Sequence, residues 1–386
     1  MNILFITSSF DPHTALWIKY FTKEHNVILF SDKKESINKL KYPDNITIIE
    51  EEGLLSPILN KFNIVQQQLR HIDMLLSVKK FITNINNIIN EYDINIIHAH
   101  SLYYGFLSSF ITKSLPVIFT PMGSDIIINA QQSKIHKLMA KKAFKRADVV
   151  TGDSKILQSR GFNVGAKKDN NYIIQNGVDT TIFYPKESSI RNELNIDKDT
   201  ILLFSPRAIA KLYNIEDILK ALKILKEKNI NFKCMFTFSF GNEHYNYLQK
   251  LSHNLGLNKY VIWLGYIDYN DMANYYNASD IVISVPSSDS SPKSVYEAMF
   301  CGKPVIVTDL SWSHEFLSDN EDIIRTEVNN IDMLSNNIVK LIKNPELTKY
   351  ISKNALEKAD KLYSYEKNMI KMESIMIDLI KTLKVK

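Results

Sequence analysis

The sequence predicts an α/β protein of two Rossmann-like domains, and three observations carry that reading. Residues 281–307 read as strand, loop, helix and strand: the apolar run Ile281-Val282-Ile283, a Ser/Asp/Pro loop, a short helix, and Val305-Ile306-Val307. Such a βαβ unit implies a right-handed crossover between parallel strands. Further short apolar runs occur in both halves of the chain, several followed by helical patterns. The length of 386 residues, with 45% hydrophobic and 23% charged residues, exceeds one core and suits a soluble globular chain of two domains.

The organising helix has clear punctuation. Ser291 is expected as N-cap and Pro292 at the first helical position, where its missing N–H is not needed. Gly302 follows the last turn of this ten-residue helix and Pro304 prevents continuation. The first amides, around Lys293, Ser294 and Val295, would point out of the carboxyl edge of the sheet, an arrangement that attracts phosphate. Lys293, Ser294 and Glu297 share one helical face, while Val295 and Met299 share another that suits the core. Glu297 thus sits one to two turns behind the expected phosphate, placed to accept hydrogen bonds from ribose hydroxyls, and Asp289 reaches the same ligand from the loop.

With Ala298-Met299 and Cys301-Gly302-Lys303-Pro304-Val305-Ile306, the stretch from Asp289 to Glu297 resembles the Glu-x7-Glu region of retaining family 4 glycosyltransferases. Those enzymes have the GT-B fold: two Rossmann-like domains facing a central cleft, with a C-terminal helix crossing back to the first domain. The resemblance implies an acceptor-side domain over 1–185 plus a helix at about 366–386, and a nucleotide-sugar-binding domain over 186–365. Asp289 stands where many relatives have Glu, one methylene shorter.

The first half opens on the strand Ile3–Thr7, and the loop Ser8 to Thr14 leads into a helix through Trp17 and Phe21. The resemblance brings His13 towards acceptor or donor phosphate, although a glycine pair common in relatives is absent. A long helical pattern runs over 50–90 (Leu59, Phe62, Val65, Leu69, Ile72, Leu76, Phe81, Ile85), and the strand Ile94–Ile97 closes on His98-Ala99-His100. Two His at i and i+2 of a strand point the same way, but no third ligand is adjacent, so a packing or cleft-lining role is expected over a metal site. After Val117-Ile118-Phe119-Thr120 comes Pro121-Met122-Gly123-Ser124-Asp125. Relatives often show His-Gly-x-Asp here; Met122 replaces the His, while Gly123 and Asp125 remain. Asp125 either accepts from an acceptor hydroxyl or caps the following helix.

Lys134–Arg146 reads as a basic amphipathic helix, with Ile135, Leu138, Met139, Ala143 and Phe144 between the cations. Its stripe suits the core and its basic face either solvent or an anionic membrane. Residues 1–186 hold 22 Lys+Arg against 16 Asp+Glu, a net of +6 within a chain of net +5, which points to an anionic partner for this half. Asn176-Gly177-Val178-Asp179, with Phe183-Tyr184-Pro185, is a turn signature near the linker. In the second half, Arg207 and Lys211 follow the strand Ile201–Phe204, where the resemblance implies that they neutralise the donor diphosphate. Tyr266 and Ile267, after Gly265, fall where the backbone meets the nucleobase. A single helical tail is expected over 356–383.

Cys234 and Cys301 form no disulfide framework, and the start of the chain reads as a strand instead of a leader, so a cytoplasmic protein, peripheral at most to the inner face of the membrane, is expected. There is no G-x-G-x-x-G and no Walker A pattern, and Asp197-Lys198-Asp199 precedes a strand instead of ending one. The resemblance implies a metal-independent transferase moving a sugar from a UDP- or GDP-sugar to a glycan or lipid-linked acceptor, in bacterial surface polysaccharide synthesis. No cofactor and no nucleic acid are expected. A nucleotide-sugar 2-epimerase of the same fold, or a non-catalytic partner of another transferase, is the alternative.

Overall fold

A computed structural model of the chain describes residues 1–9, 11–32, 42–61, 67–237, 243–289 and 291–384. It divides into two compact units, Met1–Asn176 with Met369–Lys386, and Gly177–Asn368.

The first unit holds seven parallel strands: β1 (Asn2–Ile6), β2 (Asn26–Asp32), β3 (Thr47–Glu51), β4 (Ile96–His100), β5 (Val117–Thr120), β6 (Val149–Gly152) and β7 (Asn171–Ile173), in the order β3-β2-β1-β4-β5-β6-β7. The second holds six: β8 (Ile201–Ser205), β9 (Phe232–Thr237), β10 (Val261–Gly265), β11 (Ile281–Ser284), β12 (Val305–Thr308) and β13 (Ile324–Thr326), also parallel, in the order β10-β9-β8-β11-β12-β13. Each sheet reverses its order once, at β1/β4 and at β8/β11, and such crevices at the carboxyl ends of strands are where ligands bind.

Helices cover both sheet faces, so the central strands are apolar throughout and do not alternate with polar residues. In β8, Leu202 and Phe204 join one core cluster and Leu203 the other; in β11, Val282 and Ile281/Ile283 divide in the same way. This is why the apolar runs were legible as strands. β3, half-exposed with the sequence TIIEE, and the three-residue β13 lacked such a run and were not anticipated.

The long helical pattern over 50–90 is divided into helices Ser56–Lys61, Gln67–Leu76 and Val78–Glu91; Phe62 and Val65 lie outside the described residues. The expected single tail is likewise two helices, Pro345–Leu362 and Tyr365–Lys384. Their break accommodates the Asn-Gly-Val-Asp turn: Val178 N–H donates to Tyr363 O (2.8 Å) and Tyr365 N–H to Val178 O (3.0 Å). Gly177 sits at φ 73°, and a Cβ there would lie 2.5 Å from the Tyr365 Cα, so only glycine fits. Within the first unit the C-terminal helix is anchored by Glu373, which accepts from the Tyr20 hydroxyl (3.0 Å) and meets His25 (2.5 Å). Among the described residues no helix is long and apolar enough to cross a membrane.

Candidate functional site

The second sheet's switch point gathers most of the singled-out residues. Arg207 follows β8 and Asp289 follows β11, so two loops on either side of the crevice face the helix Lys293–Phe300. Arg207 Nη2 donates to the Asp289 carboxylate (2.8 Å) and Nη1 to Ser294 Oγ (3.0 Å). Its guanidinium also stacks over the Tyr213 ring, 4.3 Å from the centroid. The Arg207 and Asp289 side chains are only 12% and 14% exposed, so the pair is held in a low-dielectric setting where each ion needs the other.

The helix differs in detail from the sequence expectation. Pro292, with φ −73° and ψ 98°, is the N-cap in place of Ser291, and the helix runs for eight residues, not ten. Pro292 still has no N–H to satisfy, but its carbonyl accepts from Val295 N–H (2.9 Å). Val295 therefore turns its side chain into the core and its amide into the turn, and does not offer a free donor. The amides of Lys293 and Ser294 have no helical carbonyl one turn earlier to bond, and these are the donors suited to an anion.

Glu297 is almost fully buried. One carboxylate oxygen accepts from the Tyr276 hydroxyl (3.0 Å), itself buried in helix Met272–Ala278. Burial raises the Glu297 pKa, opposed by the nearby Lys293 ammonium, the Tyr276 bond and Arg207. Burial likewise lowers the pKa of Lys293, whose Nζ lies 4.6 Å from the Tyr269 ring centroid, while Glu297 and Asp179 oppose that shift. Tyr276 and Tyr269 escaped sequence reasoning because nothing in local spacing pairs them with a carboxylate or an ammonium on the next helix, and Tyr213 because a loop sequence does not show its ring folding back under Arg207.

The remaining second-unit positions are more open. Gly265 has φ 78° with nothing within 4 Å of a built Cβ, Tyr266 is 70% exposed, and Ile267 is half-buried, so this turn presents backbone and one aromatic ring to a ligand. Lys211 starts a short 3₁₀ turn and lines a recess of about 670 Å³ with Asn214, Glu216, Asp217, His244 and Tyr247.

In the first unit the carboxyl edge carries a different chemistry. His98 and His100 meet through their Nε2 atoms (3.1 Å), with Thr120 on His98 (2.7 Å) and Thr14 on His100 Nδ1 (2.9 Å). A contact between two ring nitrogens requires one to donate and the other to accept, and burial beside His100 pushes the His98 pKa well down. The pair is a buried hydrogen-bonded network packed by Phe5 and Trp17, and among the described residues no group of three His, Cys, Asp or Glu is placed to hold a metal. Asp125 takes the backbone N–H groups of Leu102 (2.8 Å), Ile126 (2.9 Å) and Met122 (3.2 Å), and is itself the first residue of the turn Asp125–Asn129. Gly123, at φ 101°, supplies carbonyl bonds to Ile126 and Ile127. His13 lies in the first turn of helix Pro12–Phe21; its side chain is outside the described set. Arg146 leaves the basic face: it is buried, donating to the carbonyls of Ile111, Thr112 and Leu115 and to Asp148.

Comparison with known proteins agrees with this division. Residues 186–358 match the family profile "Glycosyl transferases group 1", and residues 2–154 match "Glycosyl transferase 4-like". Fold and profiles together define the chain's class as a glycosyltransferase of the GT-B fold. The chain is similar to N-acetyl-alpha-D-glucosaminyl L-malate synthase of Bacillus anthracis, 21% identical over 75% of this chain and 76% of that protein. It is also similar to UDP-Gal:alpha-D-GlcNAc-diphosphoundecaprenol alpha-1,3-galactosyltransferase of Escherichia coli, 23% identical over 86% and 88%. Among solved structures, sucrose-phosphate synthase from Thermosynechococcus elongatus superimposes with a TM-score of 0.80 at 16% identity, covering 99% of this chain and all of that one.

Proposed function

We propose that the protein transfers a sugar from a nucleoside diphosphate donor to a lipid-linked glycan acceptor, with retention of anomeric configuration and without a metal. The observation that carries this reading is the Arg207–Asp289–Ser294 cluster at the β8/β11 switch point, in front of the Lys293 and Ser294 amides. When the bond from the anomeric carbon to the donor oxygen breaks, the departing diphosphate gathers charge. A fixed guanidinium and two helix amides are preorganised donors for that charge and need no reorganisation at the moment of reaction. Asp289, met by Arg207 on one oxygen, is assigned to the sugar hydroxyls, and Glu297, met by Tyr276 on one oxygen, to the ribose. The backbone at Gly265–Ile267 is assigned to the base, and Lys211 lines a recess with Glu216 and Asp217.

The E. coli relative's name specifies a diphosphoundecaprenol-linked acceptor, which supports the lipid-linked assignment. The lysine face of helix Lys134–Arg146 supports work at the inner, anionic surface of a membrane, as in polysaccharide assembly. The test is a panel of UDP- and GDP-sugars, monitored for nucleoside diphosphate release with and without lipid-linked acceptor, in excess EDTA. The reading expects acceptor-stimulated release that survives the chelator. Interconversion of the sugar without any acceptor would instead establish an epimerase, and activity restored only by Mn²⁺ or Mg²⁺ would refute the metal-free assignment.

A further inference from the structure

We propose that a recess at the amino edge of the first sheet binds a small phosphate monoester with an apolar body. The recess encloses about 570 Å³, within the roughly 300–1,000 Å³ of small-ligand clefts. Its lining comes from the segments that precede β5, β6 and β7 (Lys113, Asp148 and Lys167) and from the end of helix Tyr365–Lys384 (Leu379 and Leu383). All of these residues belong to the first unit. Ligands of parallel sheets enter at the opposite, carboxyl edge, so neither a sugar donor nor its acceptor accounts for this recess.

Charge selects the occupant. Lys113, Lys145 and Lys167 line the recess, are exposed, and form no ion pair among the described residues. Lys145 also complements the dipole at the end of helix Lys134–Arg146, but Lys113 and Lys167 lie in loops, where no such role exists. The lining holds two carboxylates. Asp148 is taken by Arg146 Nη1 (3.0 Å) and by the Val117 N–H (2.9 Å), while Asp169 is exposed and offsets one ammonium. Three ammonium groups against one carboxylate leave a net +2, and like charges around one cavity repel until an anion joins them. A phosphate monoester, with about −1.5 to −2 at pH 7, matches that excess.

A buried donor points the same way. Arg146 lines the recess with its side chain only 6% exposed. A guanidinium has five N–H groups. Four are taken, by the carbonyls of Ile111 (3.2 Å), Thr112 (2.7 Å) and Leu115 (2.6 Å) and by Asp148. The second N–H of Nη1 has no partner among the described residues, which leaves an unmet donor on a buried cation beside the three lysines. The rest of the lining is largely apolar: Phe144 and Val150 are buried, and Leu379 and Leu383 half-buried. An inorganic ion would leave that surface uncovered, and a hydrocarbon alone would leave the cations unpaired. The groove at the carboxyl edge of the same sheet, walled by Ile72, Leu102 and Ile135, has by contrast no lysine or arginine among its described lining residues.

Calorimetric titration of the full chain with naphthyl phosphate, beside naphthol and inorganic phosphate, tests the site. Saturable one-to-one binding of naphthyl phosphate is expected, with naphthol and inorganic phosphate each weaker by roughly tenfold or more. Lys113→Gln with Lys167→Gln, both exposed loop positions whose folding is checked by melting, should weaken it roughly tenfold. Leu383→Ser should narrow the preference for naphthyl phosphate over inorganic phosphate. Arg207→Ala, at the other charged edge, should leave the affinity unchanged. An affinity that falls in Arg207→Ala but holds in the double lysine variant would put the probe at β8/β11 and overturn the recess. Absence of saturable binding, or inorganic phosphate binding as tightly as the ester, would overturn it too. Binding to phosphatidylglycerol vesicles that is lost in the lysine variant, without binding of the probe, would make these lysines a membrane-surface patch and overturn the site as well.

Discussion

The two units share one architecture and differ in what they place at the carboxyl edge of the sheet. At β8/β11 the second unit sets ions against one another: Arg207 with Asp289 and Ser294, and Lys293 near Glu297. At β1/β4 the first unit sets a buried imidazole pair and a carboxylate met by backbone amides, and beside them an apolar groove. The contrast teaches that switch-point position marks where a ligand goes, while the side chains there decide which kind. A charged, preorganised edge suits a leaving diphosphate; a largely apolar edge does not.

The largest expected effect lies on the charged edge. Arg207→Ala should lower turnover by about 10²–10³-fold, the loss of one charge-assisted donor worth ~3–4 kcal/mol in the transition state. It also removes the guanidinium from the nearly buried Asp289 carboxylate, so the melting temperature should fall. Adding Asp289→Asn should recover part of that stability while turnover stays low. Recovery of turnover together with stability would mean that Arg207 acts only as a structural partner.

Glu297→Gln should act next most strongly, and on binding more than on chemistry. Ribose hydroxyls change little between ground and transition states, so the Michaelis constant for donor should rise by roughly tenfold with a smaller change in kcat. The same variant has a pH signature. Burial raises the folded pKa of Glu297 above its unfolded value, so as pH rises from the unfolded pKa the unfolded chain ionises first and stability is lost until the folded pKa is passed. The stability of Glu297→Gln relative to wild type should therefore improve from pH 4 to pH 7, as thermal melts can show. A difference independent of pH would place the carboxylate in a more solvated setting than its burial indicates.

Glu297 was legible in sequence because a helix with a proline at its start and a glycine at its end fixes where its first turn points. Arg207 was singled out by the family resemblance, in a loop that follows a buried strand. Tyr276 was not, since its hydroxyl meets Glu297, 21 residues on, only once the two successive helices pack together. Nor was the Arg207–Asp289 pair as such: both residues were expected near phosphate, but their mutual contact spans 82 residues. The divided helices at 56–91 and 345–384 were misread as continuous because apolar periodicity can persist across a break, even where, as in the tail, Pro345–Leu362 belongs to the second unit and the chain from Met369 to the first. Arg146 was read as part of a basic face because nothing local reveals the three carbonyls that bury its guanidinium.

Tyr276→Phe should have a smaller effect. It removes one buried hydrogen bond to Glu297, lowering stability by about 1 kcal/mol and raising the donor Michaelis constant less than Glu297→Gln does. An equal effect of the two variants would show that Tyr276 touches the donor itself. The smallest effect is expected from the lysine face: co-sedimentation with anionic vesicles should weaken as salt shortens the screening length to ~8–10 Å. Absence of co-sedimentation at low salt would leave that face as ordinary solvation.

The proposed role of the charged β8/β11 edge in holding a diphosphate is tested most directly by calorimetric titration of UDP and GDP into the wild type and Arg207→Ala, in EDTA. One nucleotide should bind the wild type, and its affinity should fall roughly 10–100-fold in the variant, in keeping with the loss of a hydrogen-bonded charge. Equal affinity in the two proteins would contradict the account, because the diphosphate would then be held away from the β8/β11 crevice.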